Sequence, residues 1–373
     1  MPDLRSVVDD AHECMRASGS SAAARELVLR HGWNAVAYQI LNPGMQLWFS
    51  QARDAVAGFA TYAHVCVVAG APVCAPDRLA AVAAELDADA ARRGERVLYF
   101  GAGERLEQVY LARRDHCLVP LGAQPVWEPA AWPAIVKRKA SLRAQLNRAR
   151  NKGVRVDEWP AARARDSSTL RAVLGEWLRT RGLPPLGFLV TPDLLGDLDD
   201  RRVFVASRGE EVVAFLIGTP VPARNGWLVE EWPRTRAAPN GTTHLLVDAA
   251  MRAFASEGAD YVTLGLAPLA ERAGSDLRGQ PAWLRVTLRW VRAHGRRFYN
   301  FRGLEAFKAS LQPMRWEPVY AIAPAGRITP AMLRAVAGVF SNGAPELLVA
   351  RALAAAVRDE LHRAARRVGA LFR

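Results

Sequence analysis

Two stretches in the second half of the chain hold the residue types best suited to chemistry. Residues 298–320 (FYNFRGLEAFKASLQPMRWEPVY) place Lys308 beside phenylalanines and ahead of a Pro-Met-Arg-Trp-Glu-Pro turn, and residues 260–269 (DYVTLGLAPL) place Gly265 at the end of an apolar strand. A lysine among aromatic side chains is partly desolvated, so its ammonium can hold an anionic group or a developing oxyanion. A surface lysine on an amphipathic helix is the alternative. Gly265 marks a strand end where backbone groups become available to a ligand.

The elements that must position these residues occur twice along the chain. Each copy begins with two strands joined by a five-residue polar connection, and continues with an apolar-periodic helix, a glycine and a strand that ends at a second glycine. The first copy comprises Leu47–Ser50, Val56–Phe59, Asp77–Arg93 and Val97–Phe100, and the second comprises Val203–Ala206, Val212–Phe215, Thr242–Glu257 and Tyr261–Leu264. The repeat predicts an α/β protein built from two copies of one unit. Chance similarity between two ordinary hairpin–helix–strand units is the alternative.

Proline and alanine interrupt the periodicity at Pro129–Pro133 and place the boundary between the units there. The predicted domains are a first unit (1–130), a second, basic unit (131–328) and an amphipathic helical tail (329–373). Directly after the boundary, Lys137–Arg155 holds eight basic residues and no acidic one, and its composition is helical up to Gly153, a predicted C-cap.

The charge is unevenly distributed, and its sign indicates a polyanionic partner. The chain carries 50 basic and 37 acidic residues, a net charge of +13, and its pI is about 10.3. Residues 1–130 hold 12 basic and 15 acidic side chains, whereas residues 131–373 hold 38 and 22. A nucleic acid, an anionic lipid or a phosphorylated substrate is therefore expected to meet the second unit.

The composition also excludes several classes of protein. Half of the residues are hydrophobic, including 11 Trp and 12 Phe, which excludes wholesale disorder. The polar, acidic start is not typical of a signal peptide, and no apolar stretch is long enough to span a bilayer. The four cysteines share no CxxC spacing, and Cys66 and Cys74 lie in an apolar stretch, so we predict reduced thiols. The seven histidines are scattered, so we predict no metal, and we expect no cofactor. We expect a soluble, cytoplasmic protein.

Five motifs give the chain a specific resemblance. The stretches LNRARNKGVRV (146–156), APNGTT (238–243), DYVTLGLAPL (260–269), FYNFRGLEAFK (298–308) and RWEPVY (315–320) resemble the C-terminal soluble domain of phosphatidylglycerol lysyltransferases, the multiple peptide resistance factor family. The resemblance runs from about residue 25 to 325. It implies two tandem acetyltransferase-like (GNAT-like) units, and transfer of an aminoacyl group from aminoacyl-tRNA to a lipid hydroxyl. Many members carry a membrane-spanning flippase ahead of this domain; none is recognised here, so lipid export is not expected.

The loop before the second unit's helix is the expected anion site. In acyl-CoA enzymes of this fold, a glycine-rich loop offers backbone N–H groups to a pyrophosphate. Here the stretch runs from Arg236 to Thr242, and Pro239 replaces the first expected glycine, which removes a donor. This weakens a CoA interpretation but leaves Asn240, Gly241 and Thr242 as candidates for the phosphate-rich end of a charged tRNA. An ordinary helix cap is the alternative.

Acidic and imidazole side chains complete the candidate site. Glu230 and Glu231 end a predicted strand, Trp227–Glu231, and either can bind the α-amino group of the aminoacyl ester or accept a proton from the attacking hydroxyl. Strand alternation places only one of them on the inner face, and which one stays open. At the position of His244 the resemblance implies an acidic residue that contacts the transferred amino acid. Histidine cannot reproduce that contact, so lysine is not carried over as the substrate; a surface histidine or a base are the other interpretations.

Two basic segments are predicted to bind the acceptor arm of tRNA. Their candidates are Lys137, Arg138, Lys139 and Arg143 in the first segment, and Arg285, Arg289, Arg292 and Arg296, one stripe of a predicted helix over 281–294 and beyond, in the second. Aromatic residues interleave with the second segment and could stack on the unpaired 3′ end. Solvated basic helices are the alternative. The tail could lie on an anionic membrane or pack against the body of the protein.

The sequence therefore favours a tRNA-dependent aminoacyltransferase acting on a lipid hydroxyl. Because the aminoacyl ester is already activated, the enzyme must position the hydroxyl, stabilise the oxyanion and remove a proton. We assign Lys308 to the oxyanion or a 3′-end phosphate and Arg302 to a supporting contact, and expect Trp316 and Glu317 to form a wall that holds Lys308. An acyl-CoA-dependent N- or O-acyltransferase is the second hypothesis, and a non-catalytic RNA- or membrane-binding protein is the third. Oligomeric state stays open, as does a peripheral contact with the inner face of the membrane.

Overall fold

The computed structural model describes residues 19–113, 116–180, 187–229, 231–270, 282–286, 301–324, 326–341 and 343–346. The first unit consists of α1 (19–31), β1 (Gln46–Phe49), β2 (Val56–Tyr62), β3 (Val65–Ala69), α2 (Leu79–Arg92), β4 (Arg96–Ala102), α3 (Glu104–Leu111) and β5 (Cys117–Trp127). The second consists of α4 (Trp132–Arg138), α5 (Ala140–Asn151), β6 (Val154–Trp159), α6 (Ala161–Arg165), α7 (Ser168–Thr180), β7 (Arg202–Arg208), β8 (Glu211–Val221), β9 (Gly226–Val229), α8 (Thr242–Ser256), β10 (Tyr261–Thr263), β11 (Ala267–Pro268), α9 (282–286), α10 (Phe301–Ser310) and β12 (Arg315–Ala323). Helix α11 (Pro330–Phe340) follows.

The strands form one continuous sheet in the order β1-β2-β3-β4-β12-β5-β10-β9-β8-β7-β6, with β11 paired to β5. Two neighbouring pairs are parallel, β3 with β4 and β9 with β10, and each pair is joined by a helix, α2 or α8. A parallel pair requires such a crossover connection, whereas antiparallel neighbours can be joined by short turns. The predicted repeat of one α/β unit is confirmed by these two parallel pairs.

The two units exchange their last strands. Strand β12, which ends the second unit, lies between β4 and β5, and β5, which ends the first unit, lies between β12 and β10. The predicted boundary near residue 130 lies between β5 and α4 in the chain, and the sheet is continuous across it because β12 lies between β4 and β5.

Helices cover both faces of this sheet. Residues of α4, α5 and α8 enclose one core with the second unit's strands, and α6 and α7 pack on the opposite face. In the first unit α2 and α3 cover one face and α11 the other. Helix α11 approaches strand β2 so closely that a Cβ on Gly338 would strike the ring of Tyr62. This first helix of the predicted tail therefore packs against the body; residues 347–373 lie outside the described residues.

Two local expectations differ from the structure, and a third falls mostly outside the described residues. The predicted helix through the basic segment is broken at Lys139, whose extended conformation (φ −93°, ψ 95°) separates α4 from α5. The break is stabilised by Arg143, whose guanidinium donates to the carbonyl oxygens at the end of α4. Strand β9 ends at Val229, so Glu231 lies beyond it rather than in it. Of the predicted helix over 281–294, only 282–286 falls within the described residues, and it is helical.

Two other features are absent from the described part of the chain. None of the helices in the described ranges is long and apolar enough to cross a membrane. Among the same residues, no group of three or more His, Cys, Asp and Glu side chains is arranged to hold a metal ion.

Candidate active site

The candidate site lies where the parallel strands β9 and β10 end. The two strands pair from Gly226 with Tyr261 to Leu228 with Thr263, and both chains then leave the sheet. Because α8 connects these strands, it begins at the same edge at which β9 ends. The sequence-predicted residues Glu231, Gly265 and the start of α8 therefore come to one edge of the sheet.

Helix α10 places Lys308 at this edge. Its side chain is 2% exposed, and Nζ donates hydrogen bonds of 2.8 Å to the carbonyl oxygens of both Gly265 and Leu266. Burial lowers the pKa of Lys308 from 10.5 to about 7, since desolvation penalises the ammonium, and the nearby Glu231 carboxylate offsets part of this effect. The interpretation as an exposed surface lysine is wrong. Among the described residues, these two carbonyl oxygens are the hydrogen-bond partners of Nζ, which leaves its third position for a proton or a substrate atom.

Phe307, the residue before Lys308 in the chain, belongs to an aromatic cluster. The Phe307 ring lies 5.4 Å from Trp232 and 5.1 Å from His244, in tilted and edge-to-face arrangements. Burial lowers the pKa of His244 below its ordinary 6.5. The imidazole at this position is therefore neutral near pH 7, and it is not a plain surface histidine.

The loop that leads into α8 is closely packed against α5. Gly241 has φ +97°, and a Cβ there would strike the carbonyl oxygen of Gln145, so only glycine fits. Thr242 is fully buried, and its N–H and hydroxyl both donate to the Pro239 carbonyl oxygen. The structure therefore corrects the expectation for Thr242, which closes this turn and has no donor left for a ligand. The exposed Asn240 remains available.

Arg236 lies earlier in the same loop. Its side chain is exposed, while its backbone N–H donates to the Glu176 carboxylate on α7 at 2.7 Å. The main chain is thereby tethered, and the guanidinium remains accessible to an anion.

The expected wall of Trp316 and Glu317 is corrected as well. The two residues are consecutive on β12, so their side chains point to opposite faces of the sheet. Trp316 packs near Ala123 and Ala267, close to the segment that binds Lys308. The Glu317 carboxylate instead forms a two-bond ion pair with Arg224 at 2.6 and 2.8 Å, which lowers the pKa of Glu317 despite its burial.

The predicted tRNA contacts are only partly described. Lys137 and Arg138 are exposed at the end of α4, Lys139 is half-buried at the break, and Arg143 is exposed while it caps α4. Arg285 is half-buried on α9, and its Nε atom is buried with no hydrogen-bond partner among the described residues. The other predicted tRNA contacts lie outside the described residues: Arg289, Arg292 and Arg296. So does Glu230, a candidate catalytic residue, and the side chain of Arg302, the predicted supporting contact, is not described.

Asp248 is a residue that the sequence analysis missed. It lies one turn after His244, is 2% exposed, and accepts hydrogen bonds from Trp132 Nε1, Arg150 and Arg252 at 2.9–3.1 Å. It therefore joins α8 to α4 and α5 and orients two arginines. An aspartate on the apolar face of a helix is the signal that could have identified it.

Two parallel strand pairs, each joined by a helix and set in one continuous sheet, define a tandem GNAT-like fold. The model of the family "phosphatidylglycerol lysyltransferase, C-terminal" matches residues 25–323. The chain belongs to this family, whose members are transferases that act on a lipid, and the resemblance noted from the sequence motifs is confirmed.

Three solved structures share this fold. The C-terminal domain of a protein described as a putative lysylphosphatidylglycerol synthetase from Agrobacterium fabrum is 22% identical, with a TM-score of 0.73, and the match covers 87% of this chain and 98% of that one. L-PGS from Bacillus licheniformis is 20% identical, with a TM-score of 0.67 and coverage of 85% and 96%. A protein of unknown function from Bacteroides thetaiotaomicron is 14% identical, with a TM-score of 0.54 and coverage of 79% and 90%. No curated protein sequence matches significantly.

Proposed function

We propose that this protein transfers an aminoacyl group from an aminoacyl-tRNA to a hydroxyl of a phosphatidylglycerol-like lipid. The observation that carries the proposal is Lys308, a buried lysine with a pKa of about 7 that is bound by two carbonyl oxygens at the strand ends. A group that titrates near the working pH is suited to both accepting and donating a proton.

The chemistry requires one proton transfer in each direction. The neutral amine of Lys308 accepts the proton of the lipid hydroxyl as the oxygen attacks the ester carbonyl, and the ammonium so formed is held by the carbonyl oxygens of Gly265 and Leu266. Glu231 stabilises that ammonium. When the tetrahedral intermediate collapses, the proton passes to the 3′ oxygen of the tRNA. The ester bond to the tRNA breaks, the ester bond to the lipid forms, and no covalent enzyme intermediate is required.

Glu231 and His244 indicate which kind of amino acid is transferred. Glu231 is a candidate to bind the α-ammonium group, as the sequence analysis expected of it or its neighbour. His244 is neutral and lies against Phe307, so it offers no negative charge to a cationic side chain. We therefore propose an amino acid with a neutral side chain, and lysine as the disfavoured substrate.

The basic surface supports tRNA as the donor. Lys137, Arg138 and Arg148 are exposed on α4 and α5, and α5 packs against the start of α8. Each phosphate contact releases counterions, so the logarithm of the tRNA association constant should fall linearly with the logarithm of the salt concentration. The double variant Lys137→Gln with Arg138→Gln should reduce the magnitude of that slope by about 2. An unchanged slope would remove these residues from the interface.

The decisive experiment measures transfer of labelled amino acids from a pool of charged tRNAs to lipid. Wild type, Lys308→Met and the control Arg208→Met, on an exposed cation of the same unit outside the basic segments, are compared at pH 6 to 9. We expect a labelled lipid from wild type and the control, a rate that rises through about pH 7, and no product from Lys308→Met. A Lys308→Met variant with the wild-type rate and pH profile would refute the assigned chemistry. Label from acetyl-CoA with none from tRNA would refute the donor.

The loop geometry disfavours the acyl-CoA alternative. Pro239 has no N–H, and the Thr242 N–H already donates to the Pro239 carbonyl oxygen. Two of the donors that would cradle a pyrophosphate are thereby lost. We therefore expect CoA to leave the melting temperature of the protein unchanged.

A further inference from the structure

The carbonyl oxygens that bind the candidate lysine lie in a bulge between two points of strand β5. Strand β10 leaves β5 after Thr263, which pairs with Val126. The chain returns to β5 in β11, where Ala267 pairs with Ala123. Four steps along this chain therefore match three along β5, so the segment between the two pairs holds one extra residue. We call residues 264–266 the carbonyl bulge.

Two consecutive carbonyl oxygens of the carbonyl bulge face one atom. The oxygens of Gly265 and Leu266 both accept hydrogen bonds of 2.8 Å from Lys308 Nζ. A neutral amine that donates both of its hydrogens to fixed acceptors directs its lone pair along the remaining tetrahedral position. That lone pair takes the proton of the attacking hydroxyl in the proposed reaction, so the carbonyl bulge sets the direction in which the base acts.

A buried hydroxyl anchors the carbonyl bulge at its first end. Thr263 is fully buried, and its Oγ1 accepts a hydrogen bond of 3.1 Å from the N–H of Gly265. The held N–H and the carbonyl oxygen that binds the lysine belong to the same residue, so fixing the first restricts the movement of the second. Thr263 therefore limits the direction of one of the two acceptors.

A close approach of two backbones anchors the carbonyl bulge at its second end. Gly122 of β5 has φ +144°, and a Cβ there would lie 2.2 Å from the Ala267 carbonyl oxygen and 2.8 Å from the Leu269 nitrogen. The pairing of β5 with β12 skips the preceding residue, Leu121, whose carbonyl oxygen instead accepts a hydrogen bond of 2.7 Å from the Leu269 N–H. Glycine thus lets β11 lie directly against β5, and any side chain would push the end of the carbonyl bulge away.

We propose that Gly122 and Thr263 are positioning residues for the proton transfer at Lys308, and that they act through the carbonyl bulge. Both are buried within the sheet, so neither is placed to contact a substrate. The inference rests on the proposed function, because the step that is positioned is the removal of the hydroxyl proton. It also gives the first unit a part in the site of the second, since Gly122 lies on the last strand of the first unit.

Kinetics of aminoacyl transfer measure the effect of each anchor. Thr263→Val keeps the shape of the side chain and loses the hydroxyl, so we expect kcat to fall about tenfold or more, with the KM values for tRNA and lipid nearly unchanged. Thr263→Ser keeps the hydroxyl and should restore most of the rate. Gly122→Ala displaces the carbonyl bulge itself, and a misplacement of about 1 Å should lower kcat about 100-fold.

The matched control is Gly70→Ala in the first unit. Gly70 also has a left-handed backbone conformation, with φ +66°, and a Cβ there would lie 2.7 Å from Cγ2 of Val36. The substitution therefore introduces a similar strain and a similar close contact, but it does so after β3 and not against β11. We expect Gly70→Ala to lower the melting temperature and to keep the wild-type kcat.

NMR titration of Lys308 separates positioning from a general loosening of the structure. The chain contains four lysines, so protein labelled with 13C at lysine Cε allows each one to be followed. Burial lowers the pKa of Lys308 to about 7 and Glu231 acts in the opposite direction, and both influences remain in the variants. The two carbonyl oxygens stabilise the ammonium, so their displacement in Thr263→Val and Gly122→Ala should lower the pKa further. Thr263→Ser and Gly70→Ala should keep the wild-type value.

The outcomes distinguish this inference from the proposed function. Melting temperatures establish which variants are folded, and Thr263→Val decides the matter if Gly122→Ala does not fold. Unchanged kcat and pKa in Thr263→Val, a pKa that rises toward 10.5 because water has entered, or a Thr263→Ser variant as slow as Thr263→Val would each overturn the positioning role. The NMR titration requires neither tRNA nor lipid. A lowered pKa in the variants without any transfer by wild type therefore refutes the proposed function alone, and transfer by wild type with unaltered variants refutes this inference alone.

Discussion

The buried lysine makes a quantitative prediction about stability. An unfolded lysine keeps its proton up to about pH 10.5, whereas folded Lys308 loses it above about pH 7. Between these values the unfolded chain binds more protons, so the free energy of unfolding rises with pH. Linkage gives a gain of about 2 kcal/mol between about pH 7 and pH 9. Lys308→Met removes the titrating group, so the stability of wild type relative to the variant should increase by this amount over that range.

Urea denaturation of both proteins at several pH values measures this difference. The other titrating groups are common to both proteins, so their contributions cancel in the difference. The variant also loses the donor to the carbonyl oxygens of Gly265 and Leu266, but this penalty is the same at every pH and leaves the pH dependence of the difference unchanged. The matched control Lys152→Met removes an exposed lysine and should show no such pH dependence. A difference between wild type and Lys308→Met that stays constant from pH 7 to 9, or that declines, would refute the conclusion that burial governs this lysine.

Three further predictions concern the frame around the site. Arg224→Met leaves the Glu317 carboxylate without its partner and should lower the free energy of unfolding by about 3 kcal/mol. Adding Glu317→Gln should recover part of this loss. Urea denaturation of the single and double variants measures both effects, and losses that simply add would contradict the prediction. Gly241→Ala places a methyl group on a residue with left-handed backbone conformation and against the Gln145 carbonyl oxygen, so it should lower the free energy of unfolding by more than about 2 kcal/mol. A variant as stable as wild type in urea would show that α5 and α8 can separate freely. Gly338→Ala should cost about 1–3 kcal/mol, measured by thermal unfolding, because the added methyl meets an aromatic ring of β2; an unchanged melting temperature would contradict the packing of α11 on the first unit.

Much of the fold followed from local patterns. The hairpin, helix and strand of each unit were predictable because periodicity and glycine positions act over a few residues, and the structure has them within a few positions of the expected bounds. The exchange of β5 and β12 was not predictable, since which strands pair depends on contacts between residues far apart in the chain, such as Gln124 and Glu317. The break at Lys139 was missed for a similar reason, because the side chain that stabilises it belongs to the next helix.

The same division holds for the candidate site. Lys308, the pair Glu230 and Glu231, and His244 were proposed from residue type, position and family resemblance. Neither the two carbonyl partners of the lysine nor the burial that lowers its pKa can be predicted from a linear pattern. Gly122 received no notice, because a glycine within a strand is ordinary until the segment that packs against it is known. The close approach of residues 267–269 is a property of the folded sheet.

The sequence by itself determined the tandem α/β architecture, the family and the residue types at the strand ends, since these depend on periodicity and on motifs read along the chain. Only the tertiary structure decided which of those residues meet. It placed Glu317 on the face opposite Trp316, closed Thr242 into a turn, and set Gly122 against residues 267–269. The physical reason is that burial, pairing and charge compensation arise from contacts across the sheet, and these exist only after both units have completed each other.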